Sequence, residues 1–369
     1  MNLSVLIAGG GTGGHLYPGI AVARELLARI PGATVTFVGT AAGIESRVVP
    51  REGFTLDVIR SAGLKGKSGQ SLARGLTLLP LGALDAWGVI SRRRPSVVIG
   101  VGGYSSGPVV ALASTRGIPT LLMEQNAVPG LTNRFLARFA DAAAVTYEES
   151  VPFFGKKAFI AGNPVRSEFF ESVPAAPERA EGYDQYATPP SAARVLVFGG
   201  SQGAHAINMA MVEAAPRLAA ATPRLALTHQ TGERDLEMVR AGYHRAGLEA
   251  RVEPFLFAMD REMKAADLVI SRAGATTLAE LMAAGRPSLL IPLPTATDDH
   301  QRKNAEALVR QGAARMVEQR DLTGERLAHE ILALVGSLEQ RVSIGERARM
   351  LARPDAARLI VDRVLELAR

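Results

Sequence analysis

At 369 residues the chain exceeds what one hydrophobic core usually fills, so two domains of ordinary size are expected; with 47% apolar and 21% charged residues and no low-complexity block, a disordered chain is excluded. Cysteine is absent, which excludes disulfides, thiolate nucleophiles and zinc sites built on Cys. The net charge of +6 sits in the first half, where residues 1–165 carry 16 basic and 9 acidic groups against 26 and 27 in residues 166–369, so an acidic partner should meet the first half.

Met1 to Ala8 runs straight into a strand-like segment without a basic n-region, an apolar h-region or a cleavage site, and no export signal is expected. Residues 9–14, GGGTGG, then satisfy Gly-x-Gly-x-x-Gly between that strand and a helical pattern at Leu16 to Ile30. Backbone N–H groups and the helix dipole at such a turn favour a diphosphate. A tight turn that merely needs glycine is the plainer explanation. A dinucleotide cofactor is disfavoured, because the second strand, ATVTFVGT at 33–40, ends in Gly39 and Thr40 instead of an acid that would hold a ribose. His15 follows the loop at a helix start, where a neutral imidazole is favoured and proton abstraction becomes feasible.

From Arg60 to Arg94 seven basic residues and one acid, Asp85, flank the apolar run LTLLPLGALDAWGVI at 76–90, which holds the only Trp of the chain. Apolar side chains beside cations suit an anionic membrane surface; a core helix with a solvated basic end suits the same pattern. Pro80 and the glycines make the run too interrupted to span a bilayer. The uncharged stretch Pro95 to Thr115 has spanning length, but its glycines, two Pro and five Ser or Thr argue against a transmembrane helix. Nucleic acid is not expected, since the cations lack interleaved aromatics and no binding motif is present.

Strands then alternate with helices. VVIGVGG (97–103) leads into SSGPVVALA, TLLMEQN (120–126) into a helix through Asn133 to Phe139, and DLVISRAG (267–274) into ATTLAELMAAG. This alternation predicts an α/β architecture with parallel sheets wound on both faces. Gly103-Tyr-Ser105-Ser-Gly107 also matches the nucleophile elbow of a serine hydrolase, with His205 and His229 later in the chain, although an HGGG oxyanion segment is lacking. Arg166, in GNPVR at 162–166, is a candidate to meet a leaving diphosphate, or else a plain surface charge near a domain junction. The Pro- and Ala-rich stretch Ser172 to Ala193 reads as a linker or mobile loop.

Residue 195 onwards repeats residue 5 onwards: VLVFGGSQGAH lies over VLIAGGGTGGH, with Val, Leu, the glycines and the final His identical or nearly so, and a helical pattern follows at Ala206 to Ala219. Two matching copies favour phosphate cradles over incidental turns. In SRAGATTLAELMAAGRPSLLIPLP (271–294) the first helical turns carry Thr276, Thr277 and Glu280: the amides suit a phosphate and Glu280 the ribose hydroxyls, while Thr277 and Glu280 equally make a capping box. His300 sits with Asp298, Asp299 and Gln301 in TATDDHQRKNA, a set that sugar hydroxyls need, or an ordinary polar loop. Metal ligation has no support, for there is neither an Asp-x-Asp pair nor a His-Glu-x-x-His helix. From Leu322 the pattern is helical, and the last helix is assignable to neither domain. Three functions fit these residues: a sugar-nucleotide transferase, a hydrolase using Ser105, and a nucleotide-binding module without catalysis.

GGGTGGH with LYPGIAVA, GVGGYSSGP, EQNAVPGLTNR, GNPVR, GGSQGAHAIN, HQTG, SRAGATTLAEL and DDHQRKNA follow one another in the order seen in the MurG glycosyltransferase family, which the chain resembles over nearly its whole length apart from 172–193. The resemblance implies a GT-B fold, two Rossmann-like domains with parallel sheets facing an interdomain cleft. It divides the chain into an acceptor- and membrane-facing domain (1–165), a junction and linker (166–193), a donor domain (194–350) and a C-terminal helix (351–369). It implies inverting, metal-independent transfer of N-acetylglucosamine from UDP-N-acetylglucosamine, a substrate and not a cofactor, to the 4-hydroxyl of the undecaprenyl-diphospho-muramoylpentapeptide lipid, giving the peptidoglycan precursor lipid II. The site implied is the cytoplasmic face of the membrane, with cell-wall synthesis enzymes as further partners.

Carried over position by position, the resemblance assigns donor contacts to Thr12, Gly13, Gly14, Asn126, Arg166, Ser201, Leu256, Ala275, Thr276, Thr277, Leu278, Ala279, Glu280, His300 and Gln301. Gly11, Gly102, Gly103, Tyr104 and Ser105 would cradle the acceptor's diphosphate. Lys65, Lys67, Arg74, Leu76, Leu79 and Trp87 would rest on the anionic membrane surface. His15 is the first choice for the catalytic base and Glu124 the second.

Overall fold

The computed structural model describes residues 3–61, 69–170, 192–200, 203–221 and 224–369, without the side chains of 69–79 and Thr297. Most of the expected linker at 172–193 lies outside these residues, as do Ser201, Lys65 and Lys67; the side chains of Arg74, Leu76 and Leu79 also lie outside. The chain forms two compact units, one of Met1–Val165 with Arg353–Arg369 and one of Arg166–Ala352.

The first unit holds strands β1 (Ser4–Gly9), β2 (Thr34–Gly39), β3 (Thr55–Val58), β4 (Val97–Gly102), β5 (Thr120–Glu124), β6 (Ala142–Val145) and β7 (Ala158–Ile160). Between them run helices α1 (Gly13–Arg29), α2 (Glu45–Arg51), α3 (Gly69–Arg93), α4 (Ser106–Thr115), α5 (Leu131–Leu136) and α6 (Val151–Phe154). The strands make one parallel sheet in the order β3-β2-β1-β4-β5-β6-β7. Central strands covered on both faces need continuous apolar runs, and β4, VVIGVG, is buried at every position. Alternation along β1 feeds both faces. Val5 and Ile7 join the core under α1, and Leu6 and Ala8 join the core beneath α3 and α4.

The second unit repeats the plan with β8 (Ala193–Phe198), β9 (Leu225–Gln230), β10 (Ala250–Glu253), β11 (Leu268–Ser271), β12 (Ser288–Leu290) and β13 (Arg315–Met316), in the order β10-β9-β8-β11-β12-β13. Its helices are α7 (His205–Ala219), α8 (Leu236–Ala246), α9 (Met259–Ala265), α10 (Ala275–Ala284), α11 (His300–Arg310), α12 (Gly324–Val335) and α13 (Leu338–Met350). The two copies of the sequence repeat are therefore β1 with α1 and β8 with α7. In each sheet the strand order reverses beside that copy, between β1 and β4 and between β8 and β11. Ligands of open α/β sheets bind at the carboxyl ends of strands at such reversals.

The last helix, Ala356–Leu367, belongs to the first unit. Ile360, Val361 and Val364 are fully buried in the same core as Leu16 and Ile20 of α1. Among the described residues no helix is long and apolar enough to cross a membrane. Ile360→Ala should leave a cavity in that core and cost about 2–5 kcal/mol, read as a lower urea midpoint for the first unit. An unchanged midpoint would show that the terminal helix contributes nothing to it.

Candidate active site

In the first unit the loops after β1 and β4 meet backbone to backbone. Gly10 N donates to the Gly102 carbonyl at 3.3 Å. A Cβ on Gly103, whose φ is +82°, would stand 2.4 Å from the Gly10 carbonyl oxygen, so glycine is required there by contact as well as by conformation. The loop is fixed from beneath by Glu45, at the start of α2 and 1% exposed. Its Oε2 accepts from Gly11 N at 2.8 Å, and its Oε1 accepts from Thr40 N at 2.8 Å and Thr40 Oγ1 at 2.9 Å. Gly11, expected to offer its amide to a diphosphate, gives it to this carboxylate instead. The acid missing from the end of the second strand is thus present five residues further on, turned inward to the loop.

Thr12 caps α1 with extended backbone, and Gly13 and Gly14 begin the helix. His15, half-buried on its first turn, places Nδ1 3.1 Å from Gln125 Oε1. Glu124, next to it at the end of β5, is 3% exposed and faces donors only: Asn126 N and Nδ2 at 3.0 Å each on Oε1, Gly130 N at 3.1 Å and Asn133 Nδ2 at 2.8 Å on Oε2. Four donors on four lone-pair directions shape the 126–133 segment and occupy the carboxylate. Asn126, expected to contact the donor, is 9% exposed and held in the same arrangement.

Tyr104 is half-exposed at the tip of the β4 loop. Ser105 is not a nucleophile elbow. It sits at φ −73°, ψ −23°, ordinary helical backbone, and is 2% exposed, whereas an elbow serine is strained and presented to solvent. The histidines proposed as its partners are engaged within the second unit. His205 Nδ1 meets Asp235 Oδ2 at 2.9 Å; His229, fully buried, meets Tyr243 and Asn208, and burial pushes it down to about 3, so it stays neutral.

In the second unit the glycine loop at 199–204 is described except for Ser201 and Gln202. A Cβ on Gly203 would lie 1.7 Å from the Thr231 carbonyl oxygen, so this turn also rests on its neighbouring strand end. Gln230, 2% exposed at the end of β9, donates from Nε2 to the Gly200 carbonyl at 2.8 Å and accepts from Leu256 N at 2.8 Å. Leu256 therefore spends its amide on Gln230 and buries its side chain. Phe255 and Phe257 on either side are exposed, 5.0 Å apart edge to face.

Helix α10 starts at Ala275 with Gly274 as its cap and no side-chain cap bond. Thr277 lies inside the helix, which removes the capping-box explanation. Leu278 and Ala279 are buried, and Leu278 N donates to Gly274 O at 3.0 Å, so the helix's own hydrogen bonds begin at Leu278. One turn deeper, the Glu280 carboxylate lies 4.0 Å from Arg166 Nη2, with side-chain exposures of 17% and 46%. Burial pushes Glu280 up to about 7, against the pull of Arg166 and with the help of Asp260.

Behind α10, Gln301 Oε1 accepts from Ala273 N at 3.2 Å and Leu293 N at 3.0 Å, tying two strand ends together. His300 lies 3.9 Å from Asp298, and Asp298 and Asp299 both hold left-handed backbone, φ 52° and 59°. Arg272, 9% exposed, donates to the Ile291 and Pro292 carbonyls at 3.0 and 3.2 Å and to Gln319 Oε1 at 2.7 Å; burial pushes it down to about 10.

The basic, apolar segment of the first unit is only partly free in charge. Arg60 chelates Asp85 at 2.8 and 2.7 Å and holds it down to about 2, and Arg92 and Arg93 share Asp57. Trp87 is 52% and Leu84 66% exposed, with the Arg116 guanidinium 4.6 Å above the Trp87 ring. Glu45, Gln125, Gln230 and Arg272 escaped the sequence reading. Each acts through backbone groups brought in by the fold, and a lone acid, amide or cation carries no spacing signal for that.

Two α/β units, each with a glycine loop at its strand reversal and one with an open helix end above a carboxylate, define a glycosyltransferase of the GT-B class. In agreement, the glycosyltransferase family 28 N-terminal domain matches residues 5–145 and the family 28 C-terminal domain residues 194–360. A Pelobacter propionicus protein named UDP-N-acetylglucosamine--N-acetylmuramyl-(pentapeptide) pyrophosphoryl-undecaprenol N-acetylglucosamine transferase is 50% identical over 375 residues, covering 98% of this chain and 99% of that one. Its namesake in Geobacter sulfurreducens is 46% identical over 368 residues, covering 100% and 99%. The crystal structure of Acinetobacter baumannii MurG is 29% identical, with a TM-score of 0.80 over 99% of both chains. The chain belongs to this MurG family of hexosyltransferases.

The Glu280 carboxyl supplies a test. Its folded value lies above the ordinary 4.5, so between about pH 4.5 and 7 the folded unit keeps a proton that the unfolded chain has lost. Stability falls as pH rises through that window, and the cost persists above it. Glu280→Gln should therefore gain on the order of 1–3 kcal/mol over the native chain in urea unfolding at pH 8 and little at pH 4. Equal gains at both pH values would rule out this titration.

Proposed function

We propose that the chain performs the transfer for which its relatives are named, moving N-acetylglucosamine from UDP-N-acetylglucosamine to the 4-hydroxyl of the muramoyl sugar in a pentapeptide-bearing, diphosphate-linked undecaprenol. The observation that carries the donor assignment is the uncapped start of α10 with Glu280 beneath it and Arg166 beside it. The amides of Ala275 and Thr277 and the Arg166 guanidinium meet the diphosphate, and the Glu280 carboxylate accepts from ribose hydroxyls. The Leu256 carbonyl meets the uracil edge, and Gln301 Nε2 with His300 meets the sugar. The glycine loop at 199–204 belongs to this nucleotide.

The acceptor belongs to the first unit, with its loops at 9–14 and 102–107. In a single displacement the acceptor oxygen bonds to the anomeric carbon from the face opposite UDP, inverting it, while His15 takes the hydroxyl proton. Positive groups and helix amides, with no metal ion, stabilise the departing UDP. Trp87 and Leu84 give the first unit an apolar face suited to an anionic membrane surface at the cytoplasmic side, where the lipid tail lies.

The assay is transfer of labelled N-acetylglucosamine to a short-chain lipid acceptor, with a chelator present. His15→Ala should lower turnover by about 10²–10⁴ with the donor KM within about twofold. Normal turnover in that variant sinks its role as base. Glu280→Ala should raise the donor KM by about tenfold or more, as loss of a charge-assisted bond to ribose requires. Abolition of transfer by the chelator would overturn the metal-free mechanism. For the membrane, L84S/W87S should bind vesicles containing anionic lipid more weakly than the native chain and keep its affinity for UDP; equal vesicle binding would remove this face from the mechanism.

A further inference from the structure

We propose that Gln125 is a positioning residue that fixes the His15 imidazole as the Nδ1–H tautomer, leaving the Nε2 lone pair to receive the acceptor's proton. The inference rests on reading His15 as the base.

Gln125 is 2% exposed, and its amide has one arrangement that satisfies both neighbours. Nε2 donates to the Val101 carbonyl at 3.3 Å, and Oε1 faces His15 Nδ1 at 3.1 Å. Turning the amide over would set its oxygen against the Val101 carbonyl, two acceptors without a proton between them. The Val101 carbonyl therefore determines which end of Gln125 meets the histidine. An amide oxygen only accepts, so Nδ1 carries the hydrogen and Nε2 the lone pair. The ring is held in place as well: a Cβ on Gly102 would come within 2.8 Å of Nδ1.

Among the described residues, Gln125 is the hydrogen-bond partner of the His15 ring. On α1 the nearby titratable group is Tyr17; on the β4 loop it is Tyr104. On β5, Glu124 faces Asn126, Gly130 and Asn133, and from α2, Glu45 faces Gly11 and Thr40. During transfer the acceptor O–H bond breaks, its oxygen bonds to the anomeric carbon, and the bond to UDP breaks with its electron pair on the phosphate oxygen. The proton passes to Nε2. The resulting imidazolium keeps its Nδ1–H on Gln125, so the ring does not turn between the two states.

The test pairs Gln125→Met, which keeps volume and removes the acceptor, with Gln125→Glu, which keeps an acceptor and adds charge. Gln125→Met should lower kcat about tenfold with the donor KM within about twofold. Gln125→Glu loses the donor to the Val101 carbonyl but keeps an acceptor for Nδ1, so it should retain more of kcat than Gln125→Met and move the acid limb of its pH profile upward, because a carboxylate favours the imidazolium. Nitrogen-15 NMR of histidine-labelled protein, with His15→Ala for assignment, should show the Nδ1–H tautomer in the native chain; this reading needs no variant to fold. An Nε2–H tautomer in the native chain overturns the proposal. So does full activity of Gln125→Met when His15→Ala is inactive. An active His15→Ala overturns the base and this proposal together, which separates the two failures.

Discussion

Reversal of strand order beside the central strand is the constraint on which both sites depend. On one side of β1 the chain winds to β2 and β3, on the other to β4 and beyond, so the loops leaving β1 and β4 diverge to opposite faces of the sheet. No crossover covers their carboxyl ends. The same holds between β8 and β11, and in each unit the crevice is lined by whatever the two outgoing loops present. In the first unit they meet backbone to backbone, Gly10 to Gly102 and Gly103, with His15 on the helix after one loop and Tyr104 at the tip of the other.

How each loop is anchored then separates loops that are alike in sequence. The loop at 9–14 is pinned by a buried carboxylate, that of Glu45, and the loop at 199–204 by a neutral amide, that of Gln230. A unit negative charge about 5 Å from a phosphate costs about 3 kcal/mol at an effective dielectric of 20. The first loop therefore carries less positive potential than its glycines suggest. The two loops, alike in sequence, are thus anchored by groups of different charge.

The fold was legible because its signals are local and repeated. Val5 to Ala8 and Val195 to Phe198 are continuous apolar runs, each followed by glycines and a helical period, and such runs become central parallel strands. The placement of the last helix was not legible, since Ile360, Val361 and Val364 form an apolar stripe that would suit either core; the fit against α1 decides it. The open start of α10 was visible as small residues before Glu280, but whether Thr277 capped the helix depended on where the helix begins, a matter of one turn. Glu124 illustrates the opposite error. As an acid beside a motif it invited a catalytic role, and only the fold shows four donors converging on it from the segment that follows.

What remains at odds with ordinary folding rules is gathered at the carboxyl ends of β11 and β12 and the helices that follow them. Glu280 is mostly buried with its nearest cation at 4.0 Å, Arg272 is buried among neutral acceptors, and Asp298 and Asp299 hold consecutive left-handed conformations. Left-handed backbone at such positions costs of order 1–3 kcal/mol per residue, somewhat less for Asp than for most. Burial of Glu280 and the two left-handed aspartates cost the second unit stability, whereas Arg272 ties the chain after β12 to Gln319. On the proposed function, a ribose would satisfy the Glu280 carboxylate and a diphosphate would give Arg166 a further partner. Donor binding, on that proposal, would relieve the burial cost that the Glu280 carboxylate imposes on the second unit.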